Sequence, residues 1–379
     1  MQKTIRFSLP DKAKFFQTLR DRVNNYFRDN KISRNGDWRM YLKTTAMLSF
    51  YLIPFAIVMT NILPVWAVLL CYFVSGIGLV GIGMSVMHDA NHGAYSQNAT
   101  LNSILGYSLN LVGGHAMTWK VQHNVLHHTY TNVYGMDEDI EDKPLLRLSP
   151  DGKLKKYHRF QHLYAPLLYC MATVAWILWK DFKALAAYNR EGRTKDIGHN
   201  PVFEFVMLTI TKLAYWGIFF VMPLLLLSYA WWVPVVGFVI MHFTAGFIMT
   251  IVFQLAHVVE NTDHFQPNEV GNIENVWAIH QLATTSNFAR KNKLISWFVG
   301  GLNFQVEHHL FPNICHVHYP EIAKIVKSTS EEFGIPYLEY KTFRGALASH
   351  FRTLYRLGND KLKSQVLVAP KEDAAVIPA

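Results

Sequence analysis

Three histidines lie close together near the middle of the first half of the chain, at spacings that favour metal binding. His123, His127 and His128 occupy positions i, i+4 and i+5. On an α-helix of 3.6 residues per turn, positions i and i+4 share one face and i+5 lies beside it. Because neutral imidazole is the commonest protein metal ligand, this spacing predicts three ring nitrogens around one ion. The alternative is a polar turn that happens to be rich in histidine.

Two further segments and one isolated histidine could also supply metal ligands. Residues 88–92 read His-Asp-Ala-Asn-His, residues 305–309 read Gln-Val-Glu-His-His, and a histidine closes a long apolar tract at position 257. The candidate ligands are His88, His92, His123, His127, His128, His257, His308 and His309. Eight imidazoles exceed the roughly four to six ligands of one ion, so two ions are predicted, although imidazole suits iron, zinc and copper alike.

The elements that must position these histidines are membrane-spanning helices. The chain has 379 residues, a hydrophobic fraction of 51% and a formal charge of +9, yet residues 44–87 and 213–259 contain no Lys, Arg, Asp or Glu. A bilayer core about 30 Å thick needs about 20 apolar residues per helix, so each tract can supply two spans joined by a tight turn. The predicted fold is an all-α integral membrane protein with two helical hairpins and a cytoplasmic helical cap that carries the three histidine segments.

The charge pattern also gives the expected boundaries and orientation. Spans are expected at about 44–59, 65–87, 213–229 and 235–256. The flanks of the first hairpin are basic and its turn is uncharged, which places the N-terminus in the cytoplasm. An extra crossing within 160–179 would separate the later histidines from the earlier ones across the bilayer. This apolar segment is therefore predicted to be interfacial or re-entrant.

The regions outside the spans have their own predictions. Residues 1–43 form a cytoplasmic segment with 11 basic and 4 acidic residues. Within it, apolar residues recur at helical spacing: Phe16, Leu19, Val23 and Phe27. This pattern predicts an amphipathic helix on the membrane surface, or alternatively an ordinary soluble helix. The membrane domain is expected to cover residues 44–363, a flexible tail residues 364–379, and no cleaved signal peptide is expected.

Taken together, the three segments resemble the histidine boxes of the membrane fatty acid desaturases, over about residues 40–340. Gln305, in place of the first histidine of the third box, is similar to the front-end desaturases. These enzymes insert a double bond between an existing one and the carboxyl end, as in delta-6 (linoleoyl) and delta-5 desaturation. The resemblance implies a catalytic centre of two iron ions held by the eight histidines, with His257 as the ligand from the fourth span. It leaves Gln305 as a weak or water-mediated ligand.

The resemblance also implies the reaction and its partners. O2 is the co-substrate, and two hydrogens leave adjacent methylenes of a long acyl chain carried on CoA or on a lipid. Many eukaryotic front-end enzymes carry a fused cytochrome b5 domain with a His-Pro-Gly-Gly motif, for which the 43 residues before the first span are too few. A separate electron donor of the ferredoxin or cytochrome b5 type is therefore expected, attracted by the basic cytoplasmic face.

The expected location is the bacterial inner membrane or the endoplasmic reticulum, with both termini in the cytoplasm. No nucleic-acid partner is expected. Several polar residues near the boxes are candidates for orienting the ligands, because a metal-bound imidazole needs an acceptor for its other ring N–H. These candidates are Asp89, Asp137, Glu138, Glu260 and Glu307, with Gln254 and Asn287 as further residues facing the site. Alternative ligands near the boxes are His264, His316 and His318.

Two other classes of function compete with a front-end desaturase. A histidine-box hydroxylase or ketolase, or a sphingolipid desaturase, would use similar ligands on a different lipid. A non-catalytic metal-binding protein, haem protein or transporter is the more distant alternative. A transporter should carry ionisable residues within its spans. The predicted spans contain no Lys, Arg, Asp, Glu or His side chain except His242, and the candidate ligands lie at the ends of the spans or outside them.

Overall fold

The computed structural model describes residues 6–7, 14–140, 145–269, 271–273 and 275–364. Nearly all of the predicted tail lies outside these residues. The helices of the first half are α1 (Phe15–Asp29), α2 (Trp38–Val58), α3 (Val65–Asn91), α4 (Ala99–Gly106), α5 (Ser108–Leu111), α6 (116–130), α7 (Lys156–Cys170), α8 (Ala172–Arg190) and α9 (Arg193–Asp196). Those of the second half are α10 (Pro201–Leu226), α11 (Trp232–His257), α12 (Trp277–Thr284), α13 (Lys293–Phe298), α14 (Gln305–Leu310), α15 (Tyr319–Glu332) and α16 (Phe343–Gly358).

Four of these helices are long and apolar enough to cross a membrane: α2, α3, α10 and α11. The number agrees with the prediction, but α2 and α10 begin earlier than the charge-free tracts do. The helix that contains the third predicted span begins at Pro201 rather than at residue 213, and its charged residues are buried with partners. Glu204 accepts a hydrogen bond from His199 at 2.6 Å, and Lys212 donates to Asp181 at 2.6 Å. Paired charges are tolerated inside a membrane protein, so they do not mark the end of a span.

The ambiguous segment 160–179 lies across α7 and α8, which meet at a bend of 54°. The pair has the length and composition of either a broken span or a re-entrant loop. The bend packs closely on the fourth span: a Cβ on Gly246 would lie 2.6 Å from the carbonyl oxygen of Cys170. An interfacial or re-entrant course for this segment, and the sidedness that depends on it, stay predictions.

The N-terminal helix forms as predicted, but its apolar side does not face a membrane. Leu19, Val23 and Phe27 are almost fully buried and belong to a cluster that includes Ile322 of α15. On the same helix, Arg22 pairs with Glu332 at 2.7 Å. The predicted position on the membrane surface is therefore wrong. An amphipathic pattern serves a lipid surface and a protein surface equally well, so the sequence alone did not separate the two.

Two short parallel strand pairs complete the described part of the cap. β1 (Arg6–Phe7) pairs with β2 (Asn272–Ile273), and β3 (Asn287–Phe288) pairs with β4 (Glu339–Tyr340). The second pair joins the chain just before the third histidine box to the segment between α15 and α16. Each pair therefore links parts of the chain that are distant in sequence.

Glycines of the second span let its two neighbours approach closely. A Cβ on Gly78 would collide with the backbone of Tyr51 in α2, and one on Gly76 would lie 2.6 Å from the carbonyl oxygen of Met241 in α11. Small residues at such contacts are how helices pack tightly in lipid. The glycines of α3 thus let the second span pack closely against the first and the fourth. The second span ends in the first histidine box, and the fourth ends at His257.

We expect Gly78→Ala to destabilise the protein by about 1–3 kcal/mol, because backbone atoms of α2 must move to admit the methyl group. The measurement is the melting temperature of the protein purified in detergent. Gly217→Ala in the third span is the matched control, since nothing lies within 4 Å of its Cβ position and alanine is the better helix former. Equal melting temperatures for the two variants would contradict this account of the packing.

Candidate metal centre

Four elements bring all eight predicted histidines to one place. The second span ends with His88 and His92, α6 carries the three central histidines, the fourth span ends at His257, and α14 carries the last two. His92 and His123 are half-buried and the other six are buried. Residues that are far apart in the sequence thus meet in the protein interior, where imidazole nitrogens need hydrogen-bond partners or metal ions.

The central segment is wider than a regular helix. Lys120–His127 forms a π-helix, with hydrogen bonds from i to i+5. Positions five apart therefore come together: the Nε2 atoms of His123 and His128 lie 3.2 Å apart. His127 turns to a different set of residues. The structure therefore places His123 and His127 in different groups of ligand atoms, which the α-helical period does not indicate.

The first group of ligand atoms comes from three parts of the chain. Nitrogens of His88, His92, His123 and His308 lie within 4.8 Å of one another. His128 adjoins this group, because its Nε2 is 2.9 Å from Nε2 of His308. Two imidazole nitrogens that share an ion at about 2.1 Å are separated by about 3.0–3.4 Å, so these spacings suit a common ion.

The second group joins α6 to the fourth span and α14. Nitrogens of His127, His257 and His309 lie within 4.8 Å of one another, and all three rings are buried. The ring of His128 stacks on that of His309 at 4.5 Å between centroids. His128 therefore lies between the two groups, so the groups are adjacent.

The outward nitrogen of several rings is held by a hydrogen bond. Nδ1 of His127 lies 3.0 Å from the carboxylate of Asp137, and Nδ1 of His309 lies 2.8 Å from Oε1 of Gln281. Nδ1 of His308 similarly lies 3.2 Å from the hydroxyl of Tyr319. The Asp137 and Gln281 oxygens only accept, so these two contacts leave the lone pair of His127 and His309 on Nε2, the form in which imidazole binds a metal.

The inward nitrogens of five of the eight rings have no hydrogen-bond partner among the described residues. Within the described residues, buried Nε2 atoms without a hydrogen bond occur at His88, His92, His127, His257 and His309. A buried polar atom left unpaired is costly, and five of them converging on two places is the pattern expected of nitrogens that bind metal ions. The residues present therefore fit two metal ions bound through Nε2.

Burial keeps most of these rings neutral. Desolvation, together with neighbouring imidazoles, lowers the pKa of five rings well below the ordinary value: His92, His123, His128, His308 and His309. His127 differs, because burial is outweighed by the adjacent Asp137 carboxylate and the pKa rises. Neutral imidazole is the ligating form, so the electrostatics of the first group favour metal over protons.

The predicted acidic neighbours divide into two sets. Asp137 contacts His127, and Asp89 lies 3.5 Å from Nδ1 of His88. Glu260 instead pairs with arginines of α16 near the surface, and Glu307 accepts hydrogen bonds from Asn287 and Tyr337. Glu138 accepts a hydrogen bond from Tyr188.

The remaining candidates belong to neither histidine group. Gln305 and Gln254 are buried, and their Oε1 atoms have no hydrogen-bond partner among the described residues. His316 contacts Asp89, His318 contacts the carbonyl oxygen of Asn35, and His264 is buried outside both groups. Sequence reasoning missed Gln281 and Tyr319, because nothing in their local sequence marks them as partners of a histidine elsewhere in the chain.

Comparison with known proteins identifies the family of this sequence. The family model for fatty acid desaturase matches residues 63–341. The sn-1 linoleoyl-lipid 6-desaturase of Synechocystis sp. is 38% identical over 360 residues, which cover 93% of this chain and 98% of that protein. The protein of the same description from Arthrospira platensis is 36% identical over 343 residues, covering 90% and 92%.

A plant relative extends the comparison. The acyl-lipid (8-3)-desaturase of Physcomitrium patens is 33% identical over 357 residues, covering 94% of this chain and 74% of that protein. The family model and these relatives span most of the chain, including all three histidine boxes. The protein is therefore an oxidoreductase of the membrane, and it belongs to the fatty acid desaturase family.

Proposed function

We propose that this protein is a front-end acyl-lipid desaturase that inserts a double bond at carbon 6 of an already unsaturated chain such as linoleoyl. The observation that carries the proposal is the pair of adjacent histidine groups with unpaired, inward-facing nitrogens. Gln305 at the start of the third box supports the front-end type. Two relatives named as linoleoyl-lipid 6-desaturases, each covering nine tenths of this chain or more, support the position and the lipid-linked substrate.

The two groups would hold one iron each. One iron is assigned to His88, His92, His123 and His308 with His128, and the other to His127, His257 and His309. Gln305 remains a weak or water-mediated ligand, since its Oε1 is buried without a protein partner. When bound, the two irons supply the activation of O2 and the removal of two hydrogens from adjacent methylenes, with water as co-product.

The protein's own contribution is to hold the ligands and to keep water out. Trp119 stacks on His123 at 4.4 Å and meets His88 and His92 edge-on, so one indole covers three rings of the first group. Asp137 and Gln281 fix the orientation of His127 and His309 from behind. A dry, pre-oriented site strengthens electrostatic interactions and protects a reactive centre from side reactions.

Electrons for the reaction would come from a separate donor of the ferredoxin or cytochrome b5 type. The charge of +9 favours an acidic donor protein. Both termini are assigned to the cytoplasm by the positive-inside rule. This orientation places the histidine groups, at the ends of the second and fourth spans, on the side where such donors are found.

The proposal predicts a trienoic product from an 18-carbon diene. We expect a host that lacks this activity, expressing the protein and fed linoleic acid, to accumulate a fatty acid with a new double bond at carbon 6. Gas chromatography measures the yield, and mass spectrometry of derivatives locates the double bond. Cells expressing His308→Ala are the control for endogenous activity.

The other outcomes separate the alternatives. A hydroxylated product without new unsaturation would identify a hydroxylase, and a modified long-chain base would identify a sphingolipid desaturase. A new double bond between the existing ones and the methyl end would overturn the front-end assignment. Haem absorbance in the purified protein, in place of about two irons per chain, would overturn the di-iron centre.

A further inference from the structure

A chain of buried polar contacts reaches the first histidine group from the first span. Nζ of Lys43 lies 2.5 Å from Nε2 of His316, and Nδ1 of His316 lies 2.8 Å from Oδ2 of Asp89. The other oxygen of Asp89 lies 3.5 Å from Nδ1 of His88. All four side chains are at least 95% buried. The chain joins three distant segments: the start of α2, the first box, and the turn after the third box.

This cluster is not a third metal site, although ligand atoms of Asp89, Cys315 and His316 lie close enough to suggest one. The Lys43 side chain occupies the ring nitrogen of His316 that faces away from Asp89. It also places a positive charge beside any bound cation.

The direction of every hydrogen bond in the chain follows from Lys43. An ammonium group only donates, so Nε2 of His316 must accept and the ring proton must be on Nδ1. The indole of Trp297, 5.6 Å from Nζ, favours the charged ammonium. Nδ1–H of His316 therefore donates to Asp89. The backbone N–H of His316 donates to the same oxygen at 3.2 Å, which fixes the carboxylate.

The fixed Asp89 carboxylate in turn determines the tautomer of His88 in the first box. A carboxylate accepts hydrogen bonds only, so its second oxygen selects the form of His88 with a proton on Nδ1. Nε2 of His88 then carries the lone pair, and this is the buried atom without a hydrogen-bond partner that points into the first group. The chain thus specifies the one neutral tautomer of His88 that can bind an ion there.

We propose that His316 is a positioning residue, which acts through Asp89 to hold His88 as a ligand of the first group, with Lys43 fixing the tautomer of His316. The inference rests on the proposed di-iron function. It assigns to the turn after the third box the role of orienting a ligand of the first box, which the sequence of the turn does not indicate. It also makes completion of the first group depend on docking of the cap against the first span.

The test compares two replacements that differ in where they place a donor. The side-chain amide of asparagine lies near the position of histidine Nδ1 and can still donate to Asp89, whereas that of glutamine lies near Nε2. We expect His316→Asn to keep most of the activity, and His316→Gln and His316→Ala to lose about 10–100-fold in turnover or metal affinity. His318→Gln, in the same turn, keeps the donor toward the Asn35 carbonyl oxygen and is the matched control with wild-type values.

The decisive readout is the iron itself. Iron content and the Mössbauer spectrum of protein loaded with 57Fe are measured for each variant alongside turnover. We expect the alanine and glutamine variants to alter or lose one of two iron environments and to leave the other unchanged, because His88 belongs to the first group alone. Lys43→Met should show the same change in weaker form, since it releases the His316 tautomer but keeps the ring.

Other results would overturn either the role proposed for His316 or the proposed function. Wild-type spectra and rates in His316→Ala would remove His316 from any positioning role. Equal loss of both environments, or equal effects of the asparagine and glutamine variants, would show that the residue supports folding only. Absence of iron from the wild-type protein would instead refute the proposed function, so the two failures are distinguishable.

Discussion

His308→Ala is expected to abolish desaturation and to leave a protein that still inserts into the membrane. His308 is fully buried at the centre of the first group, with Nε2 2.9 Å from that of His128 and 3.4 Å from that of His123. Its loss removes a ligand that no neighbouring side chain can replace. A metal centre contributes several kcal/mol to catalysis, so activity should fall by at least about a thousandfold.

The measurement combines product analysis with metal analysis. Iron per purified chain should fall from about two toward one, because the second group does not include His308. His127→Ala should abolish activity equally while removing iron from the other group. Comparing the spectra of the two variants then tests whether the division into two groups is correct.

A histidine outside both groups serves as the control. The ring of His162 is half-buried and packs against Tyr355, away from the boxes. His162→Ala is expected to keep both irons and near wild-type turnover. Turnover retained in His308→Ala, or lost equally in His162→Ala, would remove the basis for assigning His308 to the metal centre.

The sequence identified the ligand candidates because their chemistry is local. Spacings of four and five residues, and a histidine at the end of an apolar tract, are visible without a fold. The assignment of each ring to a group was not visible, because the π-helical turn over Lys120–His127 changes which spacings align. The α-helical period pairs His127 with His123, at i and i+4. In the structure His128 contacts His123 instead, and His127 belongs to the second group.

The spans show the same contrast between local and long-range information. Tracts without charge predicted four membrane helices, and the described residues contain four single helices long and apolar enough to cross a membrane, besides the bent pair α7 and α8. The earlier start of the third helix was not predicted, because Lys212 pairs with Asp181 of α8, which includes part of the segment that the sequence left ambiguous. The N-terminal helix was misplaced because Leu19 and Val23 pack on α15, some 300 residues later. In both cases the position of the helix depends on a partner that is distant in sequence, and local composition does not identify that partner.

The same reasoning singles out Asp137 as the next most sensitive position. Its Oδ2 accepts from His127 at 3.0 Å and from the backbone N–H of Asn132 at 3.0 Å, and its Oδ1 accepts from the N–H of Asp139. The carboxylate is fully buried and cannot turn away from the ring. Asp137 therefore determines both the tautomer of His127 and the direction in which its Nε2 points.

Asp137→Asn is expected to lower turnover or iron affinity by about 10–100-fold, with little change in size or packing. The amide keeps the shape of the side chain but loses the charge, and it can present a donor to a ring nitrogen that must itself donate. Steady-state desaturation and iron content of the second group are the measurements. Glu138→Gln, at the adjacent carboxylate that accepts from Tyr188, is the control and should change neither.

A double variant decides whether Asp137 acts through His127. If it does, adding Asp137→Asn to His127→Ala should reduce iron content no further, because the ring that it orients is already gone. Two residues in one interaction show such non-additivity, whereas independent sites add. A full additional loss of iron would mean that the buried carboxylate supports the second group by another route, through the Asn132 turn, and His127 would then be held by packing alone.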